Sequence, residues 1–481
     1  MKFLVFGCCF WLLSVALSAA QDYRPSAERP PHPPREFRAA WMAVIYHIDW
    51  PSRAGLGAPA QRAEMVRILD RMASLNMNAV IFQVRPHSDA VYDSALEPWS
   101  PWLTGTMGRS PGYDPLEFCV REAHRRGIEV HAWFNPFRAL SNESHQASRD
   151  HVTRAAPGIT KRYGGQIWCD PAEPETRRRA LAAILDVVRR YDIDGVHLDD
   201  YFYPYPKGGA RFPDGRKPAQ RRAIVDGFVR DLYREVKAAK RWVRVGISPF
   251  GIWRPGVPAG IEAGLDAYEQ LASDARLWLR EGWVDYLAPQ LYWRDRPREQ
   301  SFSALLEWWR AQGERPVWPG IAVSRIKSSD DPGRPASEIT RQIELSRTVG
   351  RKNYVGHIHW SVSGLMENRY GIATALARGG YSEPALVPPM PWLSRERVAR
   401  PTAEVRAADG KLTVKWKSGG RRAAKLFVMA RHGRTWHALR ALPGANGEAT
   451  ISPGSRGLPD AVSLSAVDRF GTVGPPLVLA R

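Results

Sequence analysis

The chain has 481 residues, 44% of them hydrophobic, so it exceeds one ordinary core and suits a large barrel plus a smaller module; wholesale disorder is excluded. Its formal net charge of +20 comes mostly from Arg dispersed along the chain rather than from a basic block. That distribution, with no recognised binding motif, argues against a nucleic-acid partner and leaves either solvated faces or affinity for an anionic envelope polymer or membrane surface.

Lys2, an apolar stretch and then Ser18, Ala19 and Ala20 read as a secretory signal over residues 1–20, cut near Ala20. This predicts a periplasmic or secreted protein. The stretch is short for a membrane span, and no later segment is long and apolar enough to be one. Cys8 and Cys9 lie too early in it for a lipoprotein cleavage site. Export permits a disulfide between the two remaining thiols, Cys119 and Cys169, but the sequence leaves their pairing open. No Cys spacing of the metal-binding type is present.

Residues 21–36, rich in Pro and charge, read as a tether. From Phe37 short apolar runs alternate with amphipathic stretches. The expected strands are RAAWMAVIY (38–46), NAVIFQV (78–84), IEVHAWF (128–134), DGVHLD (194–199), VRVGISP (243–249), VDYLAPQLY (284–292), PVWPGIAV (316–323) and YVGHIHW (354–360). Helical periodicity falls between them, as in 61–75, 114–127, 174–191 and 337–350, with Gly127 and Gly350 as stops. Eight such pairs predict a (β/α)₈ barrel over residues 37–384. A doubly wound open sheet is the alternative, but the loop after the first strand, HIDWPSRAGLG, lacks the Gly-rich phosphate turn. Residues 385–400 read as a Pro-containing linker. Residues 401–481 alternate short strands and turns, predicting a small β-sandwich whose run SLSAVDRFGTVGPP looks fibronectin type III-like.

In such a barrel the reactive groups stand at the C-terminal strand ends. These supply Tyr46, His47 and Asp49 from strand 1, then Gln83, Arg85, His87 and Asp89 from strand 2. Strand 3 supplies Asn135 and Arg138, and strand 4 His197, Asp199, Asp200 and Tyr201. Strand 6 supplies Gln290, Tyr292 and Trp293, and strand 8 His357, His359 and Trp360. So many polar and aromatic strand ends exceed what core packing needs. Among the 19 Trp, exposed indole faces suit sugar rings and the others fill the interior.

Strand 4 is the strongest candidate. Asp194 opens it and reads as structural. His197 and Asp199 share a parity and face one side, whereas Asp200 has the other unless the strand has already ended. Glycosidic cleavage uses two carboxyl groups flanking the bond, which neighbours on one strand do not readily form. Asp49, Asp89 and Asp93 are therefore options for a second carboxylate. His357 and His359 share a parity that suits metal ligands, yet no matching set stands at strand 1, so no metal or other cofactor is expected.

The runs REFRAAWMAV, FQVRPHSDAVYDSALEPWSPWLTG, HAWFNPFRA, GVHLDDYFYPYP, VGISPFGIWRPG, YLAPQLYW and GHIHWSVSGL occur in order over about residues 35–385. Together they resemble the glycosyl hydrolase-like 10 family of bacterial envelope proteins. The resemblance implies a (β/α)₈ glycosidase acting on a polysaccharide. Within the family, a peptidoglycan hydrolase acting on glycan strands stripped of stem peptides is the nearest precedent. Strand 4 is also similar to the α-amylase type, whose final Asp is the nucleophile and falls on Asp199. The chitinase-type terminal Glu is replaced here by Tyr201, and the amylase-type acid on strand 5 is missing from VGISPFGIW.

The resulting expectation is an exported hydrolase of an envelope glycan, most simply peptidoglycan. Asp199 is the expected nucleophile or charge-stabilising group, and Asp200 the acid/base or orienting group. Arg85, Asn135, His197, Tyr201, Gln290, Tyr292, His359 and Trp360 are expected to bind substrate. A silent glycan-binding barrel and a metal-dependent hydrolase or deacetylase are the rivals.

Overall fold

The protein is described by a computed structural model over residues 21–349, 354–418 and 423–481. The expected signal, with Cys8, Cys9 and its cleavage site, and the helix stop at Gly350 lie outside the described residues. Eight parallel strands form the barrel: β1 Phe37–Met42, β2 Ala79–Arg85, β3 Glu129–Phe134, β4 Gly195–Leu198, β5 Arg244–Ile247, β6 Tyr286–Leu287, β7 Gly320–Ile321 and β8 Gly356–His359. Their hydrogen-bonded order is β6–β5–β4–β3–β2–β1–β8–β7. Isolated parallel bridges, Leu287 to Val317 and Gln290 to Gly320, close the ring between β6 and β7. These two strands are shorter than the sequence suggests because Pro289, Pro316 and Pro319 have no N–H to give to the ladder.

Eight helices cover the strands: α1 Ala58–Ser74, α2 Pro115–Arg125, α3 Pro174–Arg190, α4 Pro218–Ala239, α5 Ala275–Arg280, α6 Phe302–Arg310, α7 Ala336–Thr348 and α8 Ile372–Arg378. The second shows why they form where they do. Asp114 caps it by accepting from Glu117 N at 2.9 Å, Pro115 sits in its first turn, and Gly127 leaves it at φ +73°. Leu116, Cys119, Val120 and Ala123 recur at helical spacing and face the sheet, while Glu117, Arg121 and Arg125 face water.

Strand parity separates two cores. Residues such as Met42, Val80, Phe82 and Val196 pack under the helices, while Phe37, Trp41, Ile81, Trp133, Tyr286, Trp318 and Ile358 fill the barrel. Phe37 stacks on Trp318 at 4.0 Å, and Tyr286 lies 4.8 Å from the same indole. Such bulk fits because facing strand positions are glycine. A Cβ on Gly246 would stand 2.0 Å from Tyr286 Cζ, and one on Gly195 2.6 Å from His131 Nδ1.

The floor of the barrel is sealed by the segment read as a linker. Val387 packs into the interior cluster, Arg244 donates to Pro388 O at 2.9 Å, and the Trp392 indole donates to Asp285 at 2.9 Å. Cys119 and Cys169 are both buried free thiols, so neither pairs.

The C-terminal module is a two-sheet sandwich built from β9 Thr402–Ala408, β10 Lys411–Lys417, β11 Ala423–His432, β12 Thr435–Pro443, β13 Gly447–Ile451, β14 Ala461–Asp468 and β15 Leu477–Ala480. The region read as a tether contributes to it. Gln21–Asp22 pairs antiparallel with β9, and Arg24–Pro25 with β15, so residues 21–25 are sheet rather than spacer. Tyr23 between them is buried and donates to Pro459 O at 2.6 Å. Lys425 ties the sandwich to the barrel through Glu129 at 3.0 Å.

Candidate active site

Strand β4 carries Gly195, His197 and Asp199 toward the barrel axis, and it ends at Leu198, so the backbone turns at the two carboxylates. Asp199 and Asp200 are 6% and 2% exposed. The Asn135 side-chain amide donates to Asp199 Oδ2, and the Tyr201 amide to Oδ1 at 3.3 Å. Asn135 is held in turn: its carbonyl accepts from Gln83 Nε2 at 2.9 Å. Gln83 Oε1 accepts from the amides of Val44 and Ile45, both at 3.0 Å. The end of β1 therefore fixes the amide orientation that aims a donor at Asp199. The same end runs through two left-handed non-glycine residues, Tyr46 at φ 56° and His47 at φ 55°, which lift the Tyr46 ring, 54% exposed, onto the rim. Asp200 accepts from the Tyr205 hydroxyl and is reached by the Gln290 amide.

Burial and then the Asp200 charge push the Asp199 carboxyl up to about 7, against the pull of Arg138 and its hydrogen bonds. Burial also raises Asp200, against the Tyr205 hydroxyl. Two carboxyls this close do not both ionise freely, so the pair titrates as a unit that retains a proton near neutral pH. The Arg138 guanidinium lies over the Tyr201 ring at 4.4 Å and leaves its Nε without a partner. It is one cation beside two acids.

Aromatic rings continue from there along the rim. Trp168, Tyr201, Tyr205, Phe250 and Trp293 follow one another at centroid spacings of 6.2, 5.4, 6.4 and 5.6 Å. On the opposite side the half-buried Trp360 stands edge-on to Trp41 at 6.0 Å and to Trp133 at 6.1 Å, with Tyr292 tilted at 6.5 Å. Burial and the nearby Asp200 hold the Tyr292 phenol well above its ordinary pKa, so it stays a neutral hydrogen-bonding group.

Asn135, Tyr201, Gln290 and Tyr292 thus gather around the acids, with Trp360 beyond Tyr292. Three other expected substrate contacts do not. Arg85 is spent inside the protein: it bonds Glu97 at 2.7 Å, Asn135 O at 2.6 Å and Pro136 O at 3.0 Å. It anchors the β3 end instead of touching a ligand. His197 faces the axis but one layer too deep, where Trp41 Nε1 donates to its Nε2 at 3.2 Å and Tyr286 meets Nδ1 at 2.9 Å. His359 points outward with His357, both against the Tyr381 hydroxyl, because Ile358 takes the inward parity of β8 and Trp360 follows it. That orientation also removes the two histidines from any metal site at the axis. Among the described residues no group of three or more His, Cys, Asp or Glu is placed to hold a metal ion.

The options for a further carboxylate also disperse. Asp49 accepts from the Ser361 hydroxyl at 2.6 Å, Ser363 N at 3.0 Å and Ala43 N at 2.8 Å, which staples the β1 loop to the β8 loop. Asp93 is exposed beside Asp114, away from the cleft. Asp89 is fully buried next to His87 in a neighbouring cavity. The groups sequence reasoning undervalued are Gln83, Arg138 and Tyr205. Gln83 and Arg138 act through partners on a different strand or loop, and Tyr205 reaches back to Asp200 across its own loop, relations that parity along one strand does not reveal. A cavity of about 960 Å³ lies at the opposite end, between the sandwich and the beginnings of β3 to β5, and none of the gathered residues lines it.

A model of the glycosyl hydrolase-like 10 family matches residues 36–329. The glycosyl hydrolase YngK of Bacillus subtilis (strain 168) is 41% identical over 389 residues, which cover 76% of this chain and 76% of that one. The glycosyl hydrolase DigH of Escherichia coli (strain K12) is 33% identical over 373 residues, 68% of this chain and 84% of that one. Among solved structures, the PgaB (BpsB) glycoside hydrolase domain from Bordetella bronchiseptica aligns with TM-score 0.46 at 14% identity, covering 72% of this chain and 98% of that one.

Proposed function

The chain belongs to the glycosyl hydrolase-like 10 family and is a glycoside hydrolase, and on that premise we propose that it is exported and cleaves glycosidic bonds of an envelope polysaccharide, specifically the glycan strands of peptidoglycan. The observation that carries the reading is the buried pair Asp199 and Asp200, elevated in pKa and bordered by an aromatic rim. Cleavage needs a proton for the departing oxygen and negative charge beside the positive anomeric carbon. A pair that shares one proton near neutrality holds both in one place.

Asp199, on the barrel axis, faces the anomeric centre as nucleophile or charge-stabilising carboxylate. Asp200, steadied by Tyr205, moves the proton. Arg138 limits the rise in their pKa values so that one of the two stays ionised. Tyr201, Tyr205 and Trp360 offer ring faces for sugar stacking, while Asn135, Gln290 and Tyr292 supply hydrogen bonds. The sandwich, whose final run looks fibronectin type III-like, serves as a spacer or docking surface.

The test is mass spectrometry of products from intact peptidoglycan and from glycan strands freed of stem peptides. Release of fragments with new reducing ends, abolished by Asp199→Asn, is expected. Intact strands after prolonged incubation with the wild-type protein would overturn the substrate.

A further inference from the structure

Over β1 to β3, beside the paired acids, a second cavity of about 560 Å³ opens between the loop after β2 and the loop after β3. Three polar atoms on its lining residues are buried and have no partner in the protein, His87 Nε2, Trp102 Nε1 and Ser148 Oγ, while Asp89, also on the wall, has the Ser100 hydroxyl as a side-chain partner besides the His87 amide. His87 and Asp89 are 3% and 0% exposed, and they are fixed in place, with His87 N donating to Asp89 Oδ1 at 2.8 Å and His151 Nε2 meeting His87 O at 2.9 Å. Unpaired buried polar atoms are uncommon, and each destabilises a fold. Three on the residues of one cavity mark a place where a ligand supplies the missing partners.

The chemistry of the wall narrows the ligand. Among the described residues no Lys or Arg lines the cavity, in a chain whose net charge is +20, so a phosphate or carboxylate finds no counter-charge there. A single carboxylate without further ligands in metal-binding array does not suit a cation. The indole N–H donates, the carboxylate accepts, and the hydroxyl and imidazole do either. That mixture fits a neutral molecule with several hydroxyl groups. Burial raises the Asp89 carboxyl to about 6, and either of its protonation states bonds a hydroxyl.

The cavity is also linked to the rim around the acids through aromatic rings. The Trp102 ring meets the Tyr46 ring edge-on at 5.2 Å, and Tyr46 is close enough to Tyr201 to influence its phenol.

We infer that this cavity is a second saccharide subsite, which seats a neutral sugar unit of the same strand on the β1–β3 side of the cleaved bond. The inference rests on the glycan reading given above.

The test uses Asp199→Asn protein, titrated calorimetrically with peptidoglycan glycan strands freed of stem peptides. Adding Ser148→Trp, which fills the cavity from a surface loop, is expected to weaken binding at least tenfold. Adding Trp102→Phe, which removes the indole N–H, is expected to weaken it about threefold and carries the test if the bulkier variant does not fold. Unchanged affinity in the folded variants overturns the subsite, as does absence of any binding by the Asp199→Asn protein. Failure of the hydrolase reading looks different: wild-type protein releases no fragments, while the titration still shows binding that Ser148→Trp weakens.

Discussion

Acids stand at both ends of the barrel, and the two ends treat them in opposite ways. At the floor, Asp285 takes donors from Lys237, from Val245 N at 2.8 Å and from Trp392 at 2.9 Å. Burial opposes its charge, yet Lys237 and those donors bring its pKa below the ordinary range. Glu129 comes down to about 2, burial being outweighed by Lys425, His131 and Arg244. Asp194 falls too, through His124 and Arg469. At the rim, Asp199 and Asp200 are buried more fully than Glu129 or Asp194, but with Arg138 as the cation beside both, and they rise. Asp285 is buried as fully as the rim pair, so the supply of counter-charge makes the difference. The floor acids hold the barrel shut against the linker and sandwich, and the rim acids are kept reactive at the expense of stability.

The sharpest way to break this contrast is to neutralise one acid at each end. Asp199→Asn is expected to lower kcat about a thousandfold while leaving Tm unchanged or higher, since it removes a buried charge with little compensation. Steady-state kinetics and a thermal melt read both. Asp285→Ala is expected to do the reverse. It leaves Lys237 buried without its counter-charge and costs about 3–5 kcal/mol in denaturant unfolding, with kcat of the folded protein unchanged.

The pH dependence of stability should split the same way. A carboxyl raised to about 7 binds a proton in the folded state that the unfolded chain has already released, so Asp199 lowers stability as pH rises from about 4 to 7. Glu129 acts oppositely: its stabilisation is present above its unfolded pKa and lost as pH falls through about 2. Melts across pH should show a shallower decline between pH 4 and 7 in Asp199→Asn, the remainder coming from other raised carboxyls such as Asp49 and Asp89, and should keep the acid loss. Activity should fall as pH rises past about 7, where the pair gives up its shared proton. Asn135→Ala is the mildest change. Losing the amide that favours ionised Asp199 should move this alkaline limb to higher pH and reduce kcat about tenfold. An unmoved limb would remove Asn135 from the electrostatics of the pair.

Much of the floor-to-rim organisation is legible in the sequence, for physical reasons. Alternating apolar runs and helical periods reveal eight strand–helix units because burial on both faces of a parallel sheet demands them. Parity brings Asp199 inward correctly. It fails for His197 and His359 because period two says which residues share a face, not which face is the axis nor how deep a residue sits. Arg85 misleads because a buried guanidinium that serves the backbone carbonyls of β3 has the same sequence signature as one that binds ligand. The strands β9 and β13 carry weak local signals because they are rich in Ala, Glu and Gly rather than β-branched residues. Residues 21–25 pair only with chain far away, which no local pattern can announce.

That distant pairing sets an order of assembly. The bond from Tyr23 to Pro459 spans 436 positions, so the sandwich stays incomplete until its last strands have been made. The barrel, whose strands are consecutive neighbours, can close first. A copy cut short before β14 then carries a finished barrel with two unsatisfied strand edges, and is marked for aggregation or proteolysis by the absence of its own tail.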